Sequence, residues 1–434
     1  MPGVKKNFSL SEEIITKMLL IYFKFLPKKL NRSILTMLEV VLIRMVELLS
    51  DFSLQVYIIS GKEKHTGMDL NILYCGDLHS FHYLSQRFFN GEYKLKNYSR
   101  VSITHINKLL NSSLPEYLDL IIVKADRFFK KYFKPGFLII PEWVNLVLDT
   151  SRSLEEIEKK FSNGAKKDIK KIKKYGYTYD LIQDPEKMEY FYDHMFLPFI
   201  LDRHEEETRD LYLRYIKMIL NRKSVKLLLV KDLDKTISGG LVDIRGKYEI
   251  LPSMGVLDAN HEYLKKYAAS ALFYFHILSA KERGIKTVNY GDTRSFVDDG
   301  SYQFKRKWGM EVTRSCFSFK VFGFIFLKNN PPVLSFLENN PFIFEEDDKL
   351  KIFLYSNKPD LSIKDVQRFC RSYHAQGIEE IVLISPYGFS EEVIRSNLFE
   401  GTSKYNFYKK TGSTSFLGKN VSVCIIKESP FLSD

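Results

Sequence analysis

The sequence predicts an α/β chain with a mixed sheet flanked by helices at its centre, and three observations carry that reading. Between residues 177 and 322, short apolar runs alternate with helical patterns in the order β-α-α-β-β-β-α-β-α-β. Inside that block, strands at 247–257 and 286–292 are joined by a helical pattern from near 262 to 283, which Gly284 ends by accepting a left-handed conformation. Such a crossover makes the strands parallel and brings both strand ends and the helix N-terminus to one edge, where these sheets bind ligands. Finally, 45% hydrophobic and 27% charged residues make a folded globular chain, not a disordered one.

At 434 residues the chain exceeds one ordinary core, so two or three domains are expected. The net charge of +12 favours an anionic partner. CoA phosphates, a nucleotide-linked sugar, tRNA and a membrane surface all qualify, with a solvated lysine surface as the alternative. Cys75, Cys316, Cys370 and Cys424 form no C-x-x-C pair, which points to a reduced, cytoplasmic chain without structural zinc. Residues 18–26 and 34–49 are apolar, but charges interrupt them. They read as amphipathic helices packing on a neighbour, with peripheral membrane contact as the minor reading. Strands are expected at 69–74, 117–124 and 137–148, and helices at 78–89 and 102–110. His79 and His82 lie on the first of these helices, with no third metal ligand evident.

Ser153 and Glu156 have the spacing of a capping box. The helix after it holds the densest basic tract, 159–174, with eight lysines; Ile169 and Ile172 mark its buried face. Asp184-Pro185 starts another helix, running toward 201, and 205–220 is the next. Three strands follow at 225–231, 237–243 and 247–257. After the long helix come the strand at 286–290, a short segment at 301–308 and a strand at 312–322. Asn329-Asn330-Pro331-Pro332 reads as a linker to a small α/β appendage.

The phrase NYGDTRSFVDDGSYQFKRKWG, from Asn289 to Gly309, together with the element order, resembles the C-terminal half of the GNAT acyltransferase superfamily, in particular its FemABX-like branch. That resemblance covers about 141–328 and implies a GNAT-like domain there. It implies an N-terminal module at 1–140, read as a degenerate GNAT repeat, and leaves 329–434 as a separate C-terminal domain. The implied reaction is acyl transfer from acyl-CoA to an amine acceptor, such as an amino sugar or cell-envelope precursor, with no covalent enzyme intermediate. An aminoacyl-tRNA-dependent ligase and a non-catalytic binding scaffold are the alternatives.

By resemblance, Lys305 stabilises the developing oxyanion. Asp292, at the strand end, accepts the amine's proton or orients Arg294. The donor is expected at the helix start, with contacts from Leu257, Asn260, Tyr263, Lys266 and Tyr267. The glycine-rich phosphate loop of most GNAT proteins is missing, because no glycine lies between Gly255 and Gly284. Arg203, His204, Tyr302 and Trp308 are assigned to the acceptor side, and Arg306 and Lys307 to solvent. Cys316 is expected inside a strand. No metal site is expected. Hydrolase, NTPase and zincin readings drop out, since their motifs are missing.

Overall fold

The computed structural model describes residues 44–45, 48–133, 136–203, 213, 215–220, 222–316, 318–387, 405–411 and 422–428, with backbone alone for Arg203, 405–411 and 422–428. The chain forms two compact units. The second of them, which holds the crossover, comprises Trp143–Cys316 and Phe369–Glu379. In chain order it contains β1 (Trp143–Asp149), α1 (Leu154–Lys159), α2 (Asn163–Tyr175), β2 (Thr178–Ile182) and α3 (Pro185–Phe191). A π-helical turn (Tyr192–Phe196) leads into α4 (Leu197–Arg203), then β3 (Val225–Asp232), β4 (Lys235–Arg245) and β5 (Tyr248–Val256). Next come α5 (His261–Lys265), α6 (Ala268–Glu282), β6 (Thr287–Arg294), α7 (Gly300–Arg306) and β7 (Glu311–Arg314).

Alternation along the strands makes this sheet two-sided. In β3, Leu228 and Val230 enter the core beneath α6, whereas Val225, Leu227 and Leu229 enter the one beneath α3 and the π turn. Each large apolar side chain so buried contributes roughly 1.5–3 kcal/mol. Helix α6 is buried nearly all round, which suits its apolar sequence AASALFYFHILSA. The strand order is β7-β1-β6-β5-β4-β3-β2, with β5 and β6 parallel and every other pair antiparallel.

Three expected elements divide differently. The strand read at 137–148 is two strands in different sheets, Leu138–Pro141 and Trp143–Asp149. The strand read at 312–322 splits likewise into Glu311–Arg314 and Lys320–Phe326. Apolar periodicity runs through both breaks, so it cannot reveal a change of sheet. The long helix is interrupted at Tyr267, whose φ of 68° is left-handed, so α6 proper starts at Ala268. Cys316 lies beyond β7 and is exposed, not inside a strand.

The other unit comprises Met1–Glu142, Phe317–Arg368 and Glu380–Asp434 around one 11-stranded sheet. Where the sequence reading draws three blocks, at 1–140, 141–328 and 329–434, the backbone puts strands of the first and last into this sheet. The strand Phe342–Glu346 joins Leu138–Pro141 through Glu345 and Ile139. This unit also repeats the crossover pattern. Leu54–Glu63 pairs antiparallel with Asp69–Cys75, which runs parallel to Leu120–Asp126 across the helix Leu78–Phe88. Its crossover helix is closed at the N-terminus: Asp77 accepts from the Ser80 amide at 2.8 Å and pairs with Lys124 at 2.9 Å. Burial alone would lower the Lys124 pKa, but the Asp77 and Glu142 carboxylates outweigh it and hold the ammonium charged.

Candidate active site

The site begins where two parallel strands part. β5 and β6 pair only at Tyr248–Thr287, Glu249–Val288 and Ile250–Asn289. Beyond this, β5 has a bulge between Ile250 and Ser253, at Pro252, and β6 has one between Asn289 and Asp292. Proline has no N–H for the ladder, and Gly291 takes a φ of 77° that glycine accepts without strain. The Asn289 side chain locks this turn by accepting from the Gly291 amide at 2.7 Å. Among the described residues, β5 past Ile250 is held by β4 alone, and its far edge is free of a strand.

Asp292 stands at the parting. Its carboxylate accepts from Asn145 Nδ2 at 2.8 Å and Ser315 Oγ at 2.5 Å. Burial raises its pKa above the usual carboxylate range, while these two hydrogen bonds and the charge of Lys305 pull the other way. Lys305, on α7, donates to the carbonyls of Asp292 at 2.9 Å and Gly291 at 3.2 Å. Burial lowers its pKa to about 8, and Asp292 and Asp299 oppose the shift without cancelling it. An ammonium has three N–H donors, so these carbonyls leave one to aim elsewhere. Arg294, two residues on, lies over the Trp143 ring at 3.8 Å from its centroid.

Helix α7 is held at both ends. Asp299 caps it, accepting from the Ser301 and Tyr302 amides. Its side chains grip the last turn of α8 (Ile363–Tyr373) and the residue after it. Tyr302 Oη donates to Tyr373 O at 3.0 Å, Gln303 to Ser372 O at 3.0 Å, and Arg306 to the carbonyls of Arg371 and His374 at 3.1 Å each. These are carbonyls that a helix end leaves without intrahelical donors.

The structure therefore joins Lys305 and Asp292 but moves other expected residues elsewhere. Tyr302 and Trp308, assigned to the acceptor side, are fully buried. Tyr302 uses its hydroxyl on α8, and Trp308 packs edge-on to Phe161 and beside Phe273. Their apolar surface is worth more in the core than in a polar cleft. Arg306 and Lys307, expected in solvent, are both engaged: Lys307 pairs with Asp168 at 2.7 Å and lies 4.3 Å from the Phe304 ring. His204 and the side chain of Arg203 lie outside the described residues.

On the donor side, Leu257 is a core residue, and Asn260 caps α5 by accepting from the Glu262 amide at 2.8 Å. Tyr263 is half-buried, packed against both cores, and Lys266 is exposed. Tyr267 precedes α6 and its own side chain makes no capping hydrogen bond to the first amides of α6, which have no intrahelical acceptor. Asn145, Ser315 and Trp143 escape the sequence reading. Asn145 alone had a signal there: it is the one polar residue inside the apolar run of β1.

The second unit thus has the parallel pair and crossover helix of the GNAT-like domain that the sequence phrase implied, with a splay beside the strand end. No family model matches the chain, and no curated protein matches it. Among solved structures it is similar to FemX at 15% identity, over 61% of this chain and 83% of that one, with a TM-score of 0.34. It is similar to a GCN5-related N-acetyltransferase from Kribbella flavida at 11% identity, over 65% and 91%, with a TM-score of 0.24. A probable N-acyltransferase from Enterococcus faecalis matches at 10% identity, over 82% and 78%, with a TM-score of 0.25.

Proposed function

We propose that the second unit transfers an acyl group from an acyl-CoA to an amine. The observation that carries this is Lys305, a half-buried ammonium of lowered pKa tied to two carbonyls at the parting of β5 and β6, beside a carboxylate of raised pKa. Together they supply an electrophilic donor and a base at one strand end. The donor's pantetheine arm would pair with the free edge of β5, and its pyrophosphate would meet the uncapped start of α6. In the crossover helix of the first unit the equivalent end is closed by Asp77, which leaves α6 as the open one.

In the proposed step Asp292 takes a proton from the acceptor amine, and the nitrogen forms a C–N bond with the thioester carbon. The third N–H of Lys305 faces the oxygen that becomes negative. The C–S bond then breaks, and the thiolate leaves as the thiol with the proton Asp292 held. Asn145 and Ser315 fix the carboxylate for that transfer.

Native mass spectrometry with a panel of acyl-CoAs, followed by amine-dependent CoA release, tests this. A stoichiometric adduct is expected in the parent and in Lys305→Ala, with release lost in Lys305→Ala and Asp292→Asn. No adduct with any acyl-CoA would remove the donor assignment and turn attention to aminoacyl-tRNA. Undiminished release from Lys305→Ala would remove the mechanism.

A further inference from the structure

Helix α2 carries charge that the transfer step does not use. Lys166, Lys167, Lys170, Lys171, Lys173 and Lys174 are all exposed. At 100° per residue they fall within an arc of about 160°, opposite the buried Ala165, Ile169 and Ile172. Asp168, the helix's single carboxylate, faces Lys307 and Ser270 instead. Among the described residues no carboxylate pairs with any of the six. The helix dipole favours Lys173 and Lys174 in the last turn but not the other four.

A second observation lies at the end of that face. Gly176 turns the chain in a left-handed conformation, and β2 then pairs Thr178 with Lys231, which places the β3–β4 hairpin tip beside the end of the helix. At that tip Leu233 is 85% exposed with a φ of 53°. At the end of the helix, Tyr175 is 42% exposed and stacks on Tyr177 at 5.4 Å. A leucine held in solvent in a left-handed conformation is unfavourable on both counts. Burial in an interface would offset the first. Asp232 and Asp234 flank it, which limits its depth to the headgroup level.

We infer that this edge of the second unit docks on an anionic lipid surface, the lysine face meeting the headgroups while Leu233 and Tyr175 enter the interface. A nucleic acid fits less well. The helix has no arginine fork, its single aromatic, Tyr175, is already stacked on Tyr177, and an exposed leucine gains nothing from phosphates.

The test is co-sedimentation of the full chain with phosphatidylcholine vesicles, with and without phosphatidylglycerol. It is read without reference to activity, so it stands or falls apart from the transfer proposal. Binding is expected only with phosphatidylglycerol, falling as salt rises. The variant with Lys166, Lys167, Lys170 and Lys171 all changed to Gln should bind at least about a hundredfold more weakly. Leu233→Ser should weaken binding several-fold with an unchanged salt dependence. Because the altered residues are exposed, circular dichroism should match the parent. Equal binding to both vesicle types, or a quadruple variant that binds like the parent, would overturn the inference. So would tRNA binding at a salt concentration where phosphatidylglycerol vesicles are ignored.

Discussion

Lys305 and Asp292 shift each other's titration less than burial shifts both, and the consequence is a pH window. The proposed transfer requires Asp292 ionised, so activity should rise with pH through its elevated pKa. It also requires Lys305 charged, so activity should fall as pH passes about 8. A bell-shaped profile of kcat/KM is expected, and Lys305→Arg should move its upper limb beyond the range where the parent declines. A parent profile flat to pH 10 would contradict this. The same burial sets a stability cost. Because the folded-state pKa lies below the unfolded value, the charged lysine destabilises the fold at neutral pH, and stability is regained as pH rises from about 8 toward 10.5. A shift of that size is worth about 3 kcal/mol. Lys305→Met would remove it but leave two carbonyls without a donor, at roughly 1 kcal/mol each. The net expectation is an inactive variant about 1 kcal/mol more stable in urea unfolding at pH 7. Both residues were picked out as candidates in the sequence, because Asp292 follows a strand and Lys305 sits in a distinctive phrase. Asn145 and Ser315 were not, since nothing in sequence places residue 145 beside 292.

Among the elements, the contact between β5 and the π turn governs the open edge. A side chain at Gly255 would put its Cβ 2.3 Å from the Met195 carbonyl oxygen and 2.4 Å from its carbon. Both are backbone atoms, so no rotamer relieves the clash. Gly255→Ala should therefore cost about 2–3 kcal/mol in urea unfolding. It should also weaken donor binding, because the π turn must shift against the free part of β5. Parent-like stability and donor affinity would show that the turn moves freely. The strand–helix–strand order around this edge was readable from periodicity. The break at Tyr267 was not, since α5 and α6 share a helical pattern and tyrosine gives no sign of a left-handed φ.

On the scale of the molecule, the residues after 328 are not an appendage. Ending the chain there would remove five strands of the 11-stranded sheet. It would also take Phe369–Glu379 from the second unit, and with them the carbonyls that hold α7 and the contact of Gly377 with Val312. The 1–328 chain should show no cooperative thermal transition by circular dichroism. A parent-like melting curve would restore the three-block view. Among the described residues, no helix is long and apolar enough to cross a membrane. The sequence by itself determined what is local: the class, the β-α-β centre, the capping box at Ser153 and the lysine face of α2, because period and capping depend on neighbours a few residues apart. Tertiary structure decided which sheet each half of a continuous apolar run joins, that Trp308 fills a core, and that Asn145 and Ser315 meet at Asp292. Those outcomes depend on strand pairing and packing between residues distant in sequence, 147 positions apart for Asn145 and Asp292 and 23 for Ser315 and Asp292, which no local pattern records.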